Sequence, residues 1–165
     1  MKKIISVVTF VVLGFICSNT FAQGCFDFHR QKCQALPSSG YTVSPDSRSA
    51  MMRKGQESRI KYVINAGKDY RFSVCLDEEH LGNKVQMQII DYETNTKLYD
   101  NAEFNFVKDF EISVLEGRMI YIVVTIPDDQ SSKASANVAG FVPKTANQGC
   151  VGILIEEMVT PKTGF

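Results

Sequence analysis

The sequence contains no tryptophan, only two histidines, and no surplus of either charge, with 18 Lys and Arg against 18 Asp and Glu in 165 residues. Each shortage excludes something. Without tryptophan, a glycan-stacking face must be built from tyrosines. With His29 and His80 as the only imidazoles, general-base chemistry has few places to sit. The basic residues are scattered, which argues against a nucleic-acid surface, and no polybasic segment faces anionic lipid. No G-x-S-x-G nucleophile elbow occurs, and no D-x-D-x-D-G calcium loop. Beyond the first residues no apolar run approaches the roughly 20 residues of a membrane-spanning helix. Internal repeats and low-complexity tracts are missing too.

The chain does have a distinctive start. Lys2 and Lys3 precede the apolar run Ile4 to Ile16, and Thr20-Phe21-Ala22 sets small residues before Gln23. This pattern reads as a signal peptide over residues 1–22, cleaved after Ala22. Cleavage removes 22 of 165 residues and leaves 143, the size of one domain. Lys2 and Lys3 leave with it, so the remaining chain carries 16 basic and 18 acidic residues, net −2. The expected location is periplasmic or extracellular, an oxidising space. Bacterial lipidation is the competing fate. Cys17 follows Phe15-Ile16, which does not suit it, and Cys25 lies far from the apolar run, so simple cleavage is preferred to a lipoprotein at Cys25.

Gly24 to Leu36 has helical spacing, with Cys25, His29, Cys33 and Leu36 on one stripe and Asp27, Arg30, Gln31 and Gln34 opposite. Pro37-Ser38-Ser39-Gly40 ends it. Ser44-Pro45-Asp46 has the form of a second helix start, which predicts about two turns over Ser47 to Lys54 and a stop at Gly55. From Glu57 the period changes to two. Ile60, Tyr62 and Ile64, then Tyr70, Phe72, Val74 and Leu76, then Val85, Met87 and Ile89 alternate with polar neighbours. A short strand at Lys97 to Tyr99 follows the turn residues Glu93-Thr94-Asn95. Phe110, Ile112 and Val114, the apolar run Met119 to Ile126, and Val151, Ile153 and Ile155 complete about seven strands.

This arrangement predicts a mainly β chain: an antiparallel β-sandwich, jelly-roll-like, with a short N-terminal helix docked on it. The expected organisation is a signal peptide at 1–22, a helical segment at 23–56, the sandwich at 57–159 and a tail at 160–165. Pro127 to Gly149 is a long polar loop without a cluster of reactive side chains, read as mobile rather than functional.

Four cysteines remain after cleavage: Cys25, Cys33, Cys75 and Cys150. An even number in an exported chain points to two disulfides. Alternation turns Cys75 and Cys150 away from the sandwich interior. On a continuous helix Cys25 and Cys33 are ~12 Å apart at ~1.5 Å per residue, too far to bond each other. Each is therefore expected to bond a strand, stapling the helix to an outer sheet face. The preferred pairing is Cys25–Cys75 with Cys33–Cys150, and Gly152 is expected to let the helix come close. Cys25–Cys33 with Cys75–Cys150 is the alternative, and it requires a broken helix.

Other constellations are weaker. Cys25, His29 and Cys33 have a spacing compatible with zinc, but an oxidising compartment favours disulfides, so no metal is assigned. No catalytic residue is assigned either, because neither histidine has a serine and an acid at a suggestive spacing. The run Asp77, Glu78, Glu79 and His80, with Asp91, Asp100 or Asp128, has hard-cation chemistry, but reads better as a solvated turn. Glu156 and Glu157 are adjacent on a strand and so face opposite ways. Phe165 is a candidate docking handle at the end of the chain.

Several stretches carry a resemblance. Phe28-His29 ahead of Cys33, Ser47-Arg48-Ser49, Lys54-Gly55-Gln56, Asp69-Tyr70-Arg71-Phe72-Ser73, Leu98-Tyr99-Asp100-Asn101, Gly149-Cys150-Val151-Gly152-Ile153-Leu154-Ile155-Glu156 and Thr160-Pro161-Lys162-Thr163-Gly164-Phe165 are similar to a family of uncharacterised exported proteins of Bacteroidetes-type bacteria. The resemblance covers nearly all of the chain after the signal peptide and implies export without implying an activity. Residues 57–157 also resemble pre-peptidase C-terminal sandwich domains, which implies a non-catalytic accessory role.

These readings converge on an exported, non-enzymatic cell-envelope interaction protein without a cofactor, whose partner is an envelope protein or a glycan. The alternative is a small carbohydrate- or ligand-binding accessory module, for which Tyr92, Tyr99 and Tyr121 are the candidate contact residues.

Overall fold

The computed structural model describes residues 24–35, 40–128 and 147–161. The signal-peptide reading, most of the Pro127 to Gly149 loop and Phe165 lie outside these residues. Among the described residues nine strands form two sheets. Sheet A holds β4 (Lys68–Leu76), β7 (Asp109–Val114), β9 (Gln148–Val159) and two short strands that share β9's other edge, β1 (Thr42–Val43) and β2 (Arg48–Arg53). Sheet B runs β3 (Glu57–Ile64), β8 (Arg118–Thr125), β5 (Gln86–Asp91), β6 (Lys97–Asp100). Every pairing is antiparallel. The pairs are nested: β2 with β9, β3 with β8, β4 with β7 and β5 with β6. Folding one long hairpin over itself gives this order, which is that of a jelly roll.

Alternation decides what the sandwich encloses. Tyr70, Phe72, Val74 and Leu76 of β4 face Ile120, Ile122 and Val124 of β8, and all are buried. Strands β3 and β5 add Ile60, Tyr62, Ile64, Met87 and Ile89, and β9 adds Val151, Ile153 and Ile155. Aromatic rings run through this core from Tyr62, edge-on to Tyr70 and Phe72, to Phe110 stacked on Phe72 at 5.3 Å.

Two local expectations are corrected. The segment Ser47 to Lys54 is strand, not helix. Ser44 Oγ accepts from Asp46 N–H at 3.3 Å and closes a turn around Pro45 instead of capping a helix. Ser47 Oγ then accepts from Ile155 N–H at 2.9 Å and donates to the Ile155 carbonyl at 3.2 Å. The unpaired edge of β9 offers a full ladder from Ile153 to Gln148, which outweighs a two-turn helix with little to bury. Gly55 does end the element, as the residue with φ +77° in the turn into β3.

The N-terminal helix is also shorter than expected. Helix α1 covers Phe28–Lys32, and Cys33 already has extended geometry, with ψ 135°. The cause lies in the disulfides, which pin the chain on either side of that single helical stretch. The acidic run forms a single helical turn, α2 (Glu78–Leu81), with Glu78, Glu79 and His80 exposed to solvent as expected and Leu81 buried in the core.

Candidate interaction surface

The four cysteines pair as Cys25–Cys150, with 5.4 Å between Cα atoms, and Cys33–Cys75, with 5.2 Å. Each joins the N-terminal segment to an outward position on sheet A, as the alternation predicts, but the partners are exchanged relative to the preferred pairing. The reason is the direction of approach. Gly24 lies beside Met51 of β2, so the chain enters over the β2 edge, meets Cys150 on β9 first and reaches Cys75 on β4 afterwards. Both cysteines of the C-x3-H-x3-C pattern are thereby oxidised, which removes them as thiolate ligands.

Between the two disulfides, α1 sits hard against β9. A Cβ on Gly152 would lie 2.7 Å from the His29 Cα and 2.9 Å from the Cys75 Sγ, so the absence of a side chain sets this distance. His29 is buried there. Its N–H donates to Ser49 Oγ at 2.7 Å, and its Nδ1 is 2.7 Å from the same oxygen. Burial lowers its pKa, Arg30 lowers it further, and Asp27 opposes them. The neutral ring thus ties α1 to β2. Sequence spacing gave no sign of this Ser–His contact, since the two residues lie on different elements. Neither histidine lines the cleft of about 300 Å³ beneath α1, which is bordered by Lys32, Arg71, Ser73, Lys108 and Asp109.

The covered face encloses charge. The Arg71 side chain is 7% exposed and bonds Glu156, which is 1% exposed, at 3.0 Å. The same guanidinium donates to the Gln34 carbonyl at 3.3 Å and reaches Asp109 at 3.5 Å and Glu111 at 3.8 Å. One cation thus serves three carboxylates, two of them on β7 and more than half exposed. The Tyr41 hydroxyl reports the resulting field: burial raises its pKa, and Glu111 and Asp69 raise it further.

Among the described residues β7 is the terminal strand of sheet A and has no neighbour on its other side. The Val74 N–H donates to the Lys108 carbonyl at 2.7 Å, which fixes the antiparallel alternation. Phe110, Ile112 and Val114 therefore turn their backbone groups toward β4. Asp109, Glu111 and Ser113 turn theirs toward the open side. Beside this edge, the Tyr99 ring of β6 stacks on Phe110 at 3.8 Å, and Phe104 stacks on Tyr99 at 5.6 Å. The aromatic row thus runs out of the core and ends at the surface, where Phe104 is 58% exposed. Next to it a cleft of about 430 Å³ lies between β6 and β7, lined by Ile64, Leu98, Ile112, Val114, Leu115 and Arg118. Leu115 is 90% exposed.

The remaining candidates separate. Tyr92 and Tyr121 come together on the outer face of sheet B, with ring centroids 5.1 Å apart and planes tilted by 51°. Lys61 Nζ stands 4.0 Å over the Tyr92 ring. Tyr99 is apart from them, engaged in the edge stack. Asp91 closes its own turn by accepting from Glu93 N–H, Thr94 N–H and Thr94 Oγ. Asp100 accepts from Gln86, Gln88, Lys97 and Ala102 N–H. Asp77 bonds His80 Nδ1 at 2.9 Å, and Asp128 lies beside Gly55. Glu156 and Glu157 face opposite ways, Glu157 bonding Lys68 at 2.8 Å. Among the described residues no group of three His, Cys, Asp or Glu side chains converges on a point that could hold a metal ion.

The fold and its surfaces define a disulfide-stapled jelly roll with one covered sheet face and one apolar edge. Among solved structures the chain is similar to Aeromonas hydrophila PliG, a periplasmic lysozyme inhibitor of g-type lysozyme, at 5% identity and a TM-score of 0.47 over 76% of this chain and 93% of that one. No family model and no curated protein matches the sequence.

Proposed function

We propose that this chain is an exported, non-enzymatic protein of the cell envelope that acts by binding another protein through the ridge between β6 and β7. The observation that carries this reading is the emergence of the core's aromatic row at the surface in Phe104, together with the apolar cleft that Leu98, Ile112 and Leu115 line between the same two strands. Exposed apolar surface of this kind costs solubility unless a partner covers it. Two disulfides support export, because such bonds persist in oxidising compartments. The apolar, lysine-led start of the sequence supports it too.

The experiment is photo-crosslinking in intact cells from residues placed at Phe104 and Leu115. The expected result is a discrete adduct with an envelope protein that disappears when Leu98→Asp is added. No adduct from either position defeats the proposal. The carbohydrate-binding alternative rests on the Tyr92–Tyr121 pair. The tilt of these rings and the ammonium over Tyr92 leave no flat platform for a sugar, which favours the protein partner. Retention on a glycan column that is lost in Tyr121→Ala would reverse that preference.

A further inference from the structure

We infer that β7 is a docking edge for an extended segment of a partner protein, one that alternates basic and apolar residues and adds to sheet A as a further strand. The inference rests on the proposed protein-binding role and names the chemistry of the partner. Three observations meet at this edge.

The first is the backbone. Asp109, Glu111 and Ser113 turn their N–H and C=O groups to the open side of β7, a row that an incoming strand can pair. The second is the apolar side. An added strand would point alternate side chains inward over the β6–β7 cleft, against Leu98, Ile112 and Leu115. The third is charge. Its remaining side chains would lie on the outer face, opposite Asp109 and Glu111. Those two carboxylates are more than half exposed on the outer face of β7, where basic side chains of an added strand would meet them.

The same charge argues against a second copy of this chain as the occupant. In antiparallel self-pairing the outward residues of β7 would face each other, carboxylate against carboxylate, or against Ser113. A purely apolar strand would fill the cleft and leave the acids unmatched. A strand with both characters at period two satisfies the whole edge.

The probe is a synthetic peptide of alternating lysine and valine, about ten residues long, the upper range of a natural strand. Binding to the whole protein, prepared with both disulfides intact, is read by fluorescence anisotropy. Three comparisons accompany it: the same peptide N-methylated at its lysines, whose N–H groups face β7 in antiparallel pairing, its glutamate–valine counterpart, and the variant Ser113→Pro. That proline removes a backbone N–H from the open side while leaving the bonds to β4 in place. The expected result is binding that weakens at least about tenfold on N-methylation and in Ser113→Pro, weakens as salt screens the acids, and vanishes for the acidic peptide. Circular dichroism checks that Ser113→Pro folds; if it does not, the N-methylated peptide alone decides.

Failure of the lysine–valine peptide to bind overturns the inference, and so does binding that N-methylation leaves unchanged. If either occurs while the crosslinks from Phe104 and Leu115 persist, the ridge still binds a protein but not by strand addition. If the peptide pairs with β7 and no crosslinks form, the edge accepts strands and the envelope-partner reading fails.

Discussion

On the outer face of sheet A, Arg71, Ser73, Leu154 and Glu156 are buried; on the outer face of sheet B, Val123 is buried, but Lys61 and Val63 are exposed and Met119 and Tyr121 half-buried. Period-two alternation makes both faces alike in the sequence. They differ because a short N-terminal segment is bonded across one of them. Two disulfides and a glycine convert what would be a solvated surface into a third layer, and that layer turns surface charges into buried ones. Sheet B has no such cover among the described residues and keeps its polar groups in local clusters.

Removing the staple tests the difference most severely. Replacing all four cysteines with serine should cost more than about 4 kcal/mol, since a native disulfide in a small secreted domain contributes about 2–5 kcal/mol. Chemical denaturation measures this, and hydrogen exchange should show the amides of β2 and β9 losing protection together. A cost below about 1 kcal/mol would mean that packing alone holds the cover on.

The buried charge comes next. Arg71→Met removes the guanidinium that Glu156 bonds beneath the cover and should cost about 3–5 kcal/mol. Adding Glu156→Leu in the same chain should recover much of that loss, a recovery that an exposed ion pair would not give. A double-mutant cycle by thermal unfolding reads the coupling.

The close approach of α1 is a smaller lever. Gly152→Ala puts a methyl 2.7 Å from backbone of α1 and 2.9 Å from the Cys75 sulfur, so the helix must move away, at a cost of about 1–3 kcal/mol. Equilibrium unfolding measures the loss, and the His29–Ser49 contact should lengthen in a crystal structure of the variant.

The matching test on sheet B is Asp100. Burial pushes its carboxyl up, but hydrogen bonds from Gln88, Gln86, Ala102 and Lys97 outweigh that and hold the pKa at about 2, against 3.8 for the ordinary side chain. The folded state therefore favours the ionised form. This share of stability is whole above about pH 4 and is lost as pH falls through about 2. It is worth about 2 kcal/mol at neutral pH. Asp100→Asn should remove about that much at pH 7 and flatten the pH dependence of stability between pH 4 and pH 2, relative to the native chain. An unchanged acid profile would mean that the Gln86–Gln88–Lys97 cluster is not held by the charge.

How far the sequence reveals this molecule follows the range of each interaction. The seven strands from Glu57 to Ile155 are legible because alternation is local and each core residue is apolar. The outward direction of Cys75 and Cys150 and the role of Gly152 are legible for the same reason. The pairing of the cysteines is not, because it depends on which edge of the sheet the N-terminal segment crosses first. Strand β2 is misread because Ser44-Pro45-Asp46 has the local chemistry of a helix cap, while the partner that makes it a strand lies about a hundred residues away on β9. Arg71 and Glu156 look like solvated strand residues. Nothing in their neighbourhood announces the cover. The β6–β7 ridge is equally hidden, since Leu98 and Leu115 line one cleft, and Phe104, Tyr99 and Phe110 stack, only when the sheets close.

The C-terminal strand has a consequence in time. Of the described strands β9 comes latest in the chain, yet β1, β2 and β4 all pair with it, and its cysteine bonds a residue 125 positions earlier. Until those residues emerge, β4 has no second neighbour, β1 and β2 have none, and the N-terminal cover has nothing to lie across. Contacts of such long sequence separation form slowly, and the waiting strand edges invite the wrong partners. A nascent copy of this chain therefore keeps these edges exposed until β9 appears. Losing that strand would undo sheet A throughout and not only its end.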